Sequence, residues 1–308
     1  MNTPAKFDQT ALVIFVLQIL IWGVNWPIMK IGLEEFSFPP FWFAFFRVSI
    51  GMTVLFAILA FMGQITRPDR RDLKIVMIVG FFQMALFLTC VNVGLLYIDA
   101  GRSSVLAYTT PLWITPASVL FLGEKLTKTR VIGVVLGLAG VMVLFNPAEL
   151  DWSDHDALKG NGIMLMGAIC WSISILAIRR HTWVKSTLQL SPWQMLVACV
   201  PLLIVALSFE DVGQIEWTPL SVTIILFNGV FATAFAFWSS IMVASRLPAV
   251  TTSLGFLAIP LCGVLFSNLM LNEPMTLSLT TGMLLIVASV AAVSVPWSRL
   301  RRTKPQGS

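Results

Sequence analysis

The sequence predicts an all-α polytopic membrane protein, with ten transmembrane helices in two inverted five-helix repeats. Three observations carry that prediction. The 308-residue chain is 57% hydrophobic and only 11% charged, whereas soluble domains carry about 25% charged residues. A water-soluble fold of this size would have too little charged surface. Mean hydropathy is +0.87, and the apolar residues fall in long charge-free runs at 12–29, 75–98, 131–148, 161–178, 188–209, 217–245 and 247–272. Finally, residues 97–133 read again at 246–282.

About 20 apolar residues cross a bilayer as one helix, and continuous rather than alternating runs favour helices over barrel strands. Spans are therefore expected near 10–30, 41–62, 74–96, 101–122, 130–146, 159–178, 192–210, 219–240, 248–270 and 276–296. Span 1 follows Asp8 and is too long for a cleaved signal peptide. Span 2 opens at Pro39-Pro40, and span 3 holds Gln83 and Asn92. Span 4 begins with Ser103-Ser104, and span 5 is short. The polar 149–158 segment leads to span 6, span 7 carries Leu196 where span 2 carries Arg47, and span 8 holds Asn228 and Trp238. Span 9 begins at Thr251-Thr252-Ser253, and span 10 ends before a basic tail. The expected organisation is a first repeat over 1–148, an outer linker over 149–158, a second repeat over 159–298 and a cytoplasmic tail over 299–308.

Charge orients the spans. With ten spans and the amino terminus inside, 16 lysines and arginines fall on inner segments and 3 on outer ones. That bias places both termini in the cytoplasm, with the chain in the cell (inner) membrane. Topology alone explains the net charge of +5, so nucleic-acid binding is not implied. The four cysteines lie in spans without metal-ligand spacing, and no P-loop, dinucleotide glycine pattern or HExxH occurs. No cofactor or metal is expected, and ATP-driven transport is unsupported. A membrane enzyme would need a catalytic histidine or acidic cluster, but His155 and His181 are the only histidines.

At an offset of 149, Trp22 falls on Trp171, Lys30 on Arg179, Ala100 on Ala249, Pro111 on Pro260, Glu124 on Glu273 and Gly133 on Gly282. Five spans per unit is an odd number, so the second unit starts from the opposite side of the membrane. Inverted repeats of this kind support alternating access around a midplane site. A duplication kept only for folding is the alternative.

The motifs Ile21-Trp22-Gly23-Val24-Asn25-Trp26 with Lys30, Pro39-Pro40 leading to Phe46-Arg47, Gly123-Glu124-Lys125-Leu126 before Gly133, and Asn272-Glu273-Pro274 before Gly282 run in order along nearly the whole chain. Together they resemble EamA-type permeases of the drug/metabolite transporter superfamily. The resemblance implies ten spans, two five-helix repeats and gradient-driven export of amino acids or other small metabolites. The second half departs from the pattern, with Trp171-Ser172-Ile173-Ser174 in place of Trp-Gly-x-Asn and no arginine matching Arg47.

Arg47 is the sharpest polar candidate, because a charge in a span is costly unless it is paired or faces a wet cavity. A guanidinium fork suits a substrate carboxylate or phosphate; an internal pair with Glu34 or Glu35, or snorkelling, is the alternative. Lys30 and Arg102 extend an outer vestibule of positive charge. Trp22, Asn25, Trp26 and Met29 share one broad stripe of span 1, and Trp171 matches Trp22. Tyr108, Gln83, Asn92 and Trp113 are secondary lining candidates, each also readable as packing or interfacial anchoring. Pro111 and Pro260 should kink their helices. Glu124 and Glu273 read as caps or pairs at the turn into the next helix rather than as proton carriers.

The expected function is export of an amino acid or related carboxylate or zwitterion by alternating access. Alternatives are a drug or other metabolite carrier working as an uptake system, exchanger or uniporter, and a non-transport membrane enzyme or assembly protein. Expected partners are the carboxylated substrate, a proton or counter-substrate, and the lipid bilayer, with the protein a monomer or weak homodimer.

Overall fold

A computed structural model describes residues 8–123, 127–145 and 155–294. Among these the chain forms ten helical rods: α1 (Gln9–Glu35), α2 (Pro40–Phe61), α3 (Leu73–Leu95), α4 (Ala100–Leu122), α5 (Lys128–Phe145), α6 (His155–Arg180), α7 (Thr187–Phe209), α8 (Pro219–Arg246), α9 (Ala249–Gly255 and Ala258–Leu271) and α10 (Leu277–Ser294). Seven of them, α1 to α4 and α6 to α8, are long and apolar enough to cross a membrane, and 258–271 and 277–292 form shorter apolar helices. The chain is a multi-pass, all-α membrane protein.

Several boundaries differ from those expected. α1 runs to Glu35 rather than stopping near residue 30, because Lys30 pairs with Glu34 one turn on, at 2.9 Å. α7 begins at Thr187 rather than 192. Ser186 caps it, in a reciprocal capping box with Gln189.

Three backbone devices occur twice at matching places. Residues Val79–Phe87 of α3 and Phe227–Phe235 of α8 wind as π-helix. α4 breaks at Tyr108-Thr109, and α9 breaks at Phe256-Leu257. α4 and α9 end in left-handed residues, Gly123 at φ 66° and Asn272 at φ 55°, which glycine and asparagine tolerate best. Pro111 and Pro260 do not sit at the breaks. Each lies in the first turn of the segment after one, where the missing N–H has no intrahelical partner to lose.

Packing repeats as well. α2 lies on α7 and α5 on α10, while α1–α9 is matched by α6–α4, α2–α8 by α7–α3, and α1–α8 by α6–α3. The near end of the bundle is taken here as the end where α1 begins, and the far end as the end where it finishes. At the far end the first segment of α4 packs closely on the second segment of α9. The reciprocal segments at the near end make no comparable contact among the described residues. At this end a cleft of about 560 Å³ lies between the ends of α4 and α6, lined by Phe121, Leu122, Arg179 and Arg180.

The α2–α7 pair is tied at both ends. At the far end the Glu210 carboxylate accepts the amides of Phe41 (2.9 Å) and Trp42 (2.9 Å) at the amino terminus of α2, where the helix dipole favours an anion. Burial raises the Glu210 pKa, and those two amides oppose the rise. At the near end Trp193 Nε1 donates to the Thr66 carbonyl at 2.9 Å. Another near-end tie crosses the halves. Asp72, fully buried, takes His181 Nε2 at 2.7 Å, the Lys185 amide at 2.9 Å and the Val184 amide at 3.2 Å. Burial alone would raise the Asp72 pKa, but these hydrogen bonds outweigh it and hold the carboxyl below the ordinary range.

Candidate substrate site

The π segment of α8 creates the setting for Arg47. A π turn shifts the hydrogen-bond ladder by one residue. At its exit the Ala236 amide reaches the carbonyls of Phe231 and Thr233 and passes over that of Ala232. The Ala232 carbonyl is taken instead by two side chains, Trp22 Nε1 at 3.0 Å and Arg47 Nη2 at 3.4 Å. Thr233 turns its hydroxyl to the Asn228 carbonyl at 2.8 Å and accepts Arg47 Nε at 2.9 Å. α2 can come this close because Gly229 of α8 faces it. A Cβ at Gly229 would sit 2.5 Å from Ile50.

Arg47 is 7% exposed. Its third contact is Nη1 to the Met29 sulfur at 3.1 Å, a weak acceptor. Among the described residues no carboxylate pairs with it, and the pair with Glu34 or Glu35 does not form. Glu34 is held by Lys30. The guanidinium therefore rests on a hydroxyl, a carbonyl and a thioether. On α1, three residues after Trp22 and four before Met29, Asn25 is buried, and its Oδ1 has no hydrogen-bond partner. A planar cation with spare donors and neighbouring unpaired polar groups is suited to taking a carboxylate.

An aromatic cluster joins the second half to the first, with Trp171 set against Phe87 and Tyr108. Trp171 of α6 lies 5.0 Å from Phe87 and 5.6 Å from Tyr108, the latter edge-on at the break in α4. Trp22 makes the matching contact with Phe256 at the break in α9, 5.9 Å centre to centre. Ser174, the counterpart of Asn25, is buried with an unpaired hydroxyl.

Comparison with known proteins decides the family. The model of the EamA-like transporter family matches the chain twice, over residues 9–146 and 158–295. The chain belongs to the EamA-like transporter family. It is a membrane transporter of small molecules rather than an enzyme. Similar proteins include the uncharacterized transporter YoaV of Bacillus subtilis, 30% identical over 91% of this chain and 95% of that one. The uncharacterized transporter YvbV of the same organism is 32% identical over 93% and 92%. A probable amino-acid metabolite efflux pump of Salmonella typhimurium is 23% identical over 94% and 95%. One solved crystal structure, 21% identical, superposes with a TM-score of 0.67 over 95% of this chain and 99% of that one, sharing the fold.

Within this EamA chain the remaining candidate residues separate into three groups. Arg47, Trp22 and Asn25 gather where α1, α2 and α8 meet. Trp171 and Tyr108 gather on the other side. Lys30 and Arg102 are occupied elsewhere. Lys30 Nζ donates to the carbonyls of Leu95 (3.1 Å) and Ile98 (3.0 Å), and Arg102 Nη2 donates to Leu144. Trp26 is buried in the α1–α9 seam, close to Gly263. Asn92 donates to the Pro40 carbonyl at 3.0 Å, and Trp113 to Thr109 at 3.3 Å. Gln83, in the π segment of α3, has an unpaired Oε1. Glu273 caps α4, and Glu124 lies outside the described residues. Thr233 was not singled out from the sequence, whereas Met29 was, as a member of the span 1 stripe. The available signal was the glycine match Gly80–Gly229 at the same 149-residue offset, which marks the two π segments.

Proposed function

We propose that this protein exports a small carboxylated metabolite, an amino acid or related zwitterion, by alternating access. In this reading all ten rods span the membrane as two inverted five-helix repeats, over 1–148 and 159–298. Both termini lie in the cytoplasm, so the near end is cytoplasmic and the far end external. The observation that carries the substrate class is Arg47, a buried guanidinium with no carboxylate partner among the described residues. Leaving such a charge without a counter-ion in the membrane is expensive, and an entering carboxylate supplies what the protein omits. Trp171, Phe87 and Tyr108 offer an apolar wall to the rest of the molecule. The likeness to a probable amino-acid metabolite efflux pump agrees with this class. Export follows when the substrate is more concentrated in the cytoplasm or is exchanged for an external solute or proton.

The test is reconstitution in liposomes with a panel of amino acids and metabolites, measuring counterflow with and without a pH gradient. Counterflow of carboxylated solutes, and its loss in Arg47→Ala, is the expected result. Undiminished rate and KM in Arg47→Ala would remove the carboxylate assignment. Absence of flux for every solute would remove the metabolite-carrier reading.

A further inference from the structure

The turn between α3 and α4 is gripped from both sides by charges of opposite sign. From α1, Lys30 Nζ holds the carboxyl end of α3 through the carbonyls of Leu95 and Ile98, at 3.1 and 3.0 Å. From the turn after α9, the Glu273 carboxylate holds the amino end of α4 through the amides of Ala100 (2.7 Å) and Gly101 (2.9 Å). Each charge meets the helix end whose dipole it complements. Local geometry serves the grip. The left-handed Asn272 turns the chain just before Glu273, and Asn268 Nδ2 holds the Glu273 carbonyl at 2.8 Å. A Cβ at Gly101 would lie 3.3 Å from the Glu273 carboxylate, so the small residue keeps the approach open.

The grip coincides with the place where the packing symmetry breaks. α1 and α9 reach across to α3 and α4 at the far end, and no comparable near-end crossing occurs among the described residues. We propose that Lys30 and Glu273 form a releasable clasp that shuts the far end, and that protonation of Glu273 opens it. This inference rests on the proposed alternation between ends, but not on any particular substrate. A neutral carboxyl loses its attraction for the positive end of α4 and turns one acceptor oxygen into a donor, which cannot face an amide. Burial raises the Glu273 pKa, opposed by the Gly101 and Ala100 amides. Asp99 on the gripped turn raises it further, and Lys30 on α1 lowers it. Arg102, the next charge on α4, turns away to the Leu144 carbonyl. The carboxyl is thus poised to take a proton more readily than an exposed glutamate. Symmetry supplies a second element. Arg179 is the repeat counterpart of Lys30 and lines the near-end cleft. In the far-open state it grips the carboxyl end of α8.

Amide hydrogen exchange on the full-length protein in nanodiscs tests this without any substrate, after correction for the intrinsic pH dependence of exchange. In wild type, protection of residues 98–103 should fall several-fold between about pH 8 and pH 5, while residues 243–252 gain protection. Glu273→Gln should show the acid pattern at every pH. Lys30→Ala should shift the same way while keeping its pH response. Arg179→Ala should shift the opposite way. Local fraying of 98–103 with no gain at 243–252 would overturn the clasp as a gate. Wild-type protection that does not change with pH, or a pH response that survives in Glu273→Gln, would overturn the proton's role. Because the exchange pattern needs no transported solute, either failure leaves the carrier assignment standing or falling on its own flux data.

Discussion

The two halves share one backbone plan and carry different side chains on it. Both third rods contain a nine-residue π segment, both fourth rods break at matching places, and both end in a left-handed residue. Against that likeness, α2 places buried Arg47 where α7 places Leu196, which is 39% exposed. α1 places Asn25 where α6 places Ser174. Backbone devices set how rods pack and bend, so a molecule that alternates between its ends, as proposed, would keep them in both halves. In the proposed cycle one cation serves a carboxylate, so Arg47 needs no counterpart at Leu196.

The comparison breaks first if the halves prove equal in transport. Arg47→Ala is expected to lower kcat/KM for a carboxylated substrate roughly 100-fold, from the loss of charge-assisted hydrogen bonds. Leu196→Ala should stay within about twofold. Liposome flux measures both, and equal losses would end the idea of one-sided chemistry.

Next come the parts argued to be equal. A Cβ on Gly80 would fall 2.4 Å from the Gln194 carbonyl, and one on Gly229 2.5 Å from Ile50. Gly80→Ala and Gly229→Ala should each cost about 1–3 kcal/mol through overpacking, read as similar drops in Tm in detergent. A loss in only one would show that the π segments pack by different rules.

Asp72→Asn sharpens the near end, where one buried carboxylate joins the halves. Removing it should cost about 1–3 kcal/mol, since His181 loses its hydrogen-bond partner and two amides lose a charged acceptor. The sign of the pH dependence follows from the depressed pKa. The folded state favours the ionised form, so the contribution is full above the unfolded-state pKa and disappears as pH falls through the lower folded value. Thermal unfolding across acid pH should show a wild-type slope that Asp72→Asn lacks.

A smaller effect is expected from Trp171→Ala, which removes ring contacts with Phe87 and Tyr108. Those contacts amount to about 1 kcal/mol beyond area, or a KM several-fold higher for substrates with an apolar side chain. Least of all should follow from Arg246→Ala. Its bond to Asp8 is 3.4 Å long and exposed, and loss of such a pair changes stability by under about 1 kcal/mol.

The helical, multi-pass character was legible because hydrocarbon demands long apolar runs, and those are visible residue by residue. The family resemblance was legible in ordered motifs around Trp22, Arg47, Glu124 and Glu273. Arg47 stood out because a charge in an apolar run is conspicuous. Its partners did not. Thr233 and the Ala232 carbonyl become partners only through the altered winding of 227–235, and a π turn leaves no hydropathy signal. Lys30 read as a vestibule charge, because sequence gives no hint that the end of α3 would lie within its reach. The prolines pointed to both helix breaks but three residues late, since proline favours the start of a segment as much as the end of one.

The π segment of α8 acts as a phase shifter. One helical residue corresponds to about 100° of rotation, so inserting a residue into the winding turns everything downstream relative to everything upstream. The Arg47 pocket therefore depends on residue number as much as on residue type. Deleting a single residue between 227 and 231 would restore ordinary winding, return the Ala232 carbonyl to its own helix and swing Thr233 away from α2. Such a chain would keep every charged side chain, and lose the two oxygens on which Arg47 rests.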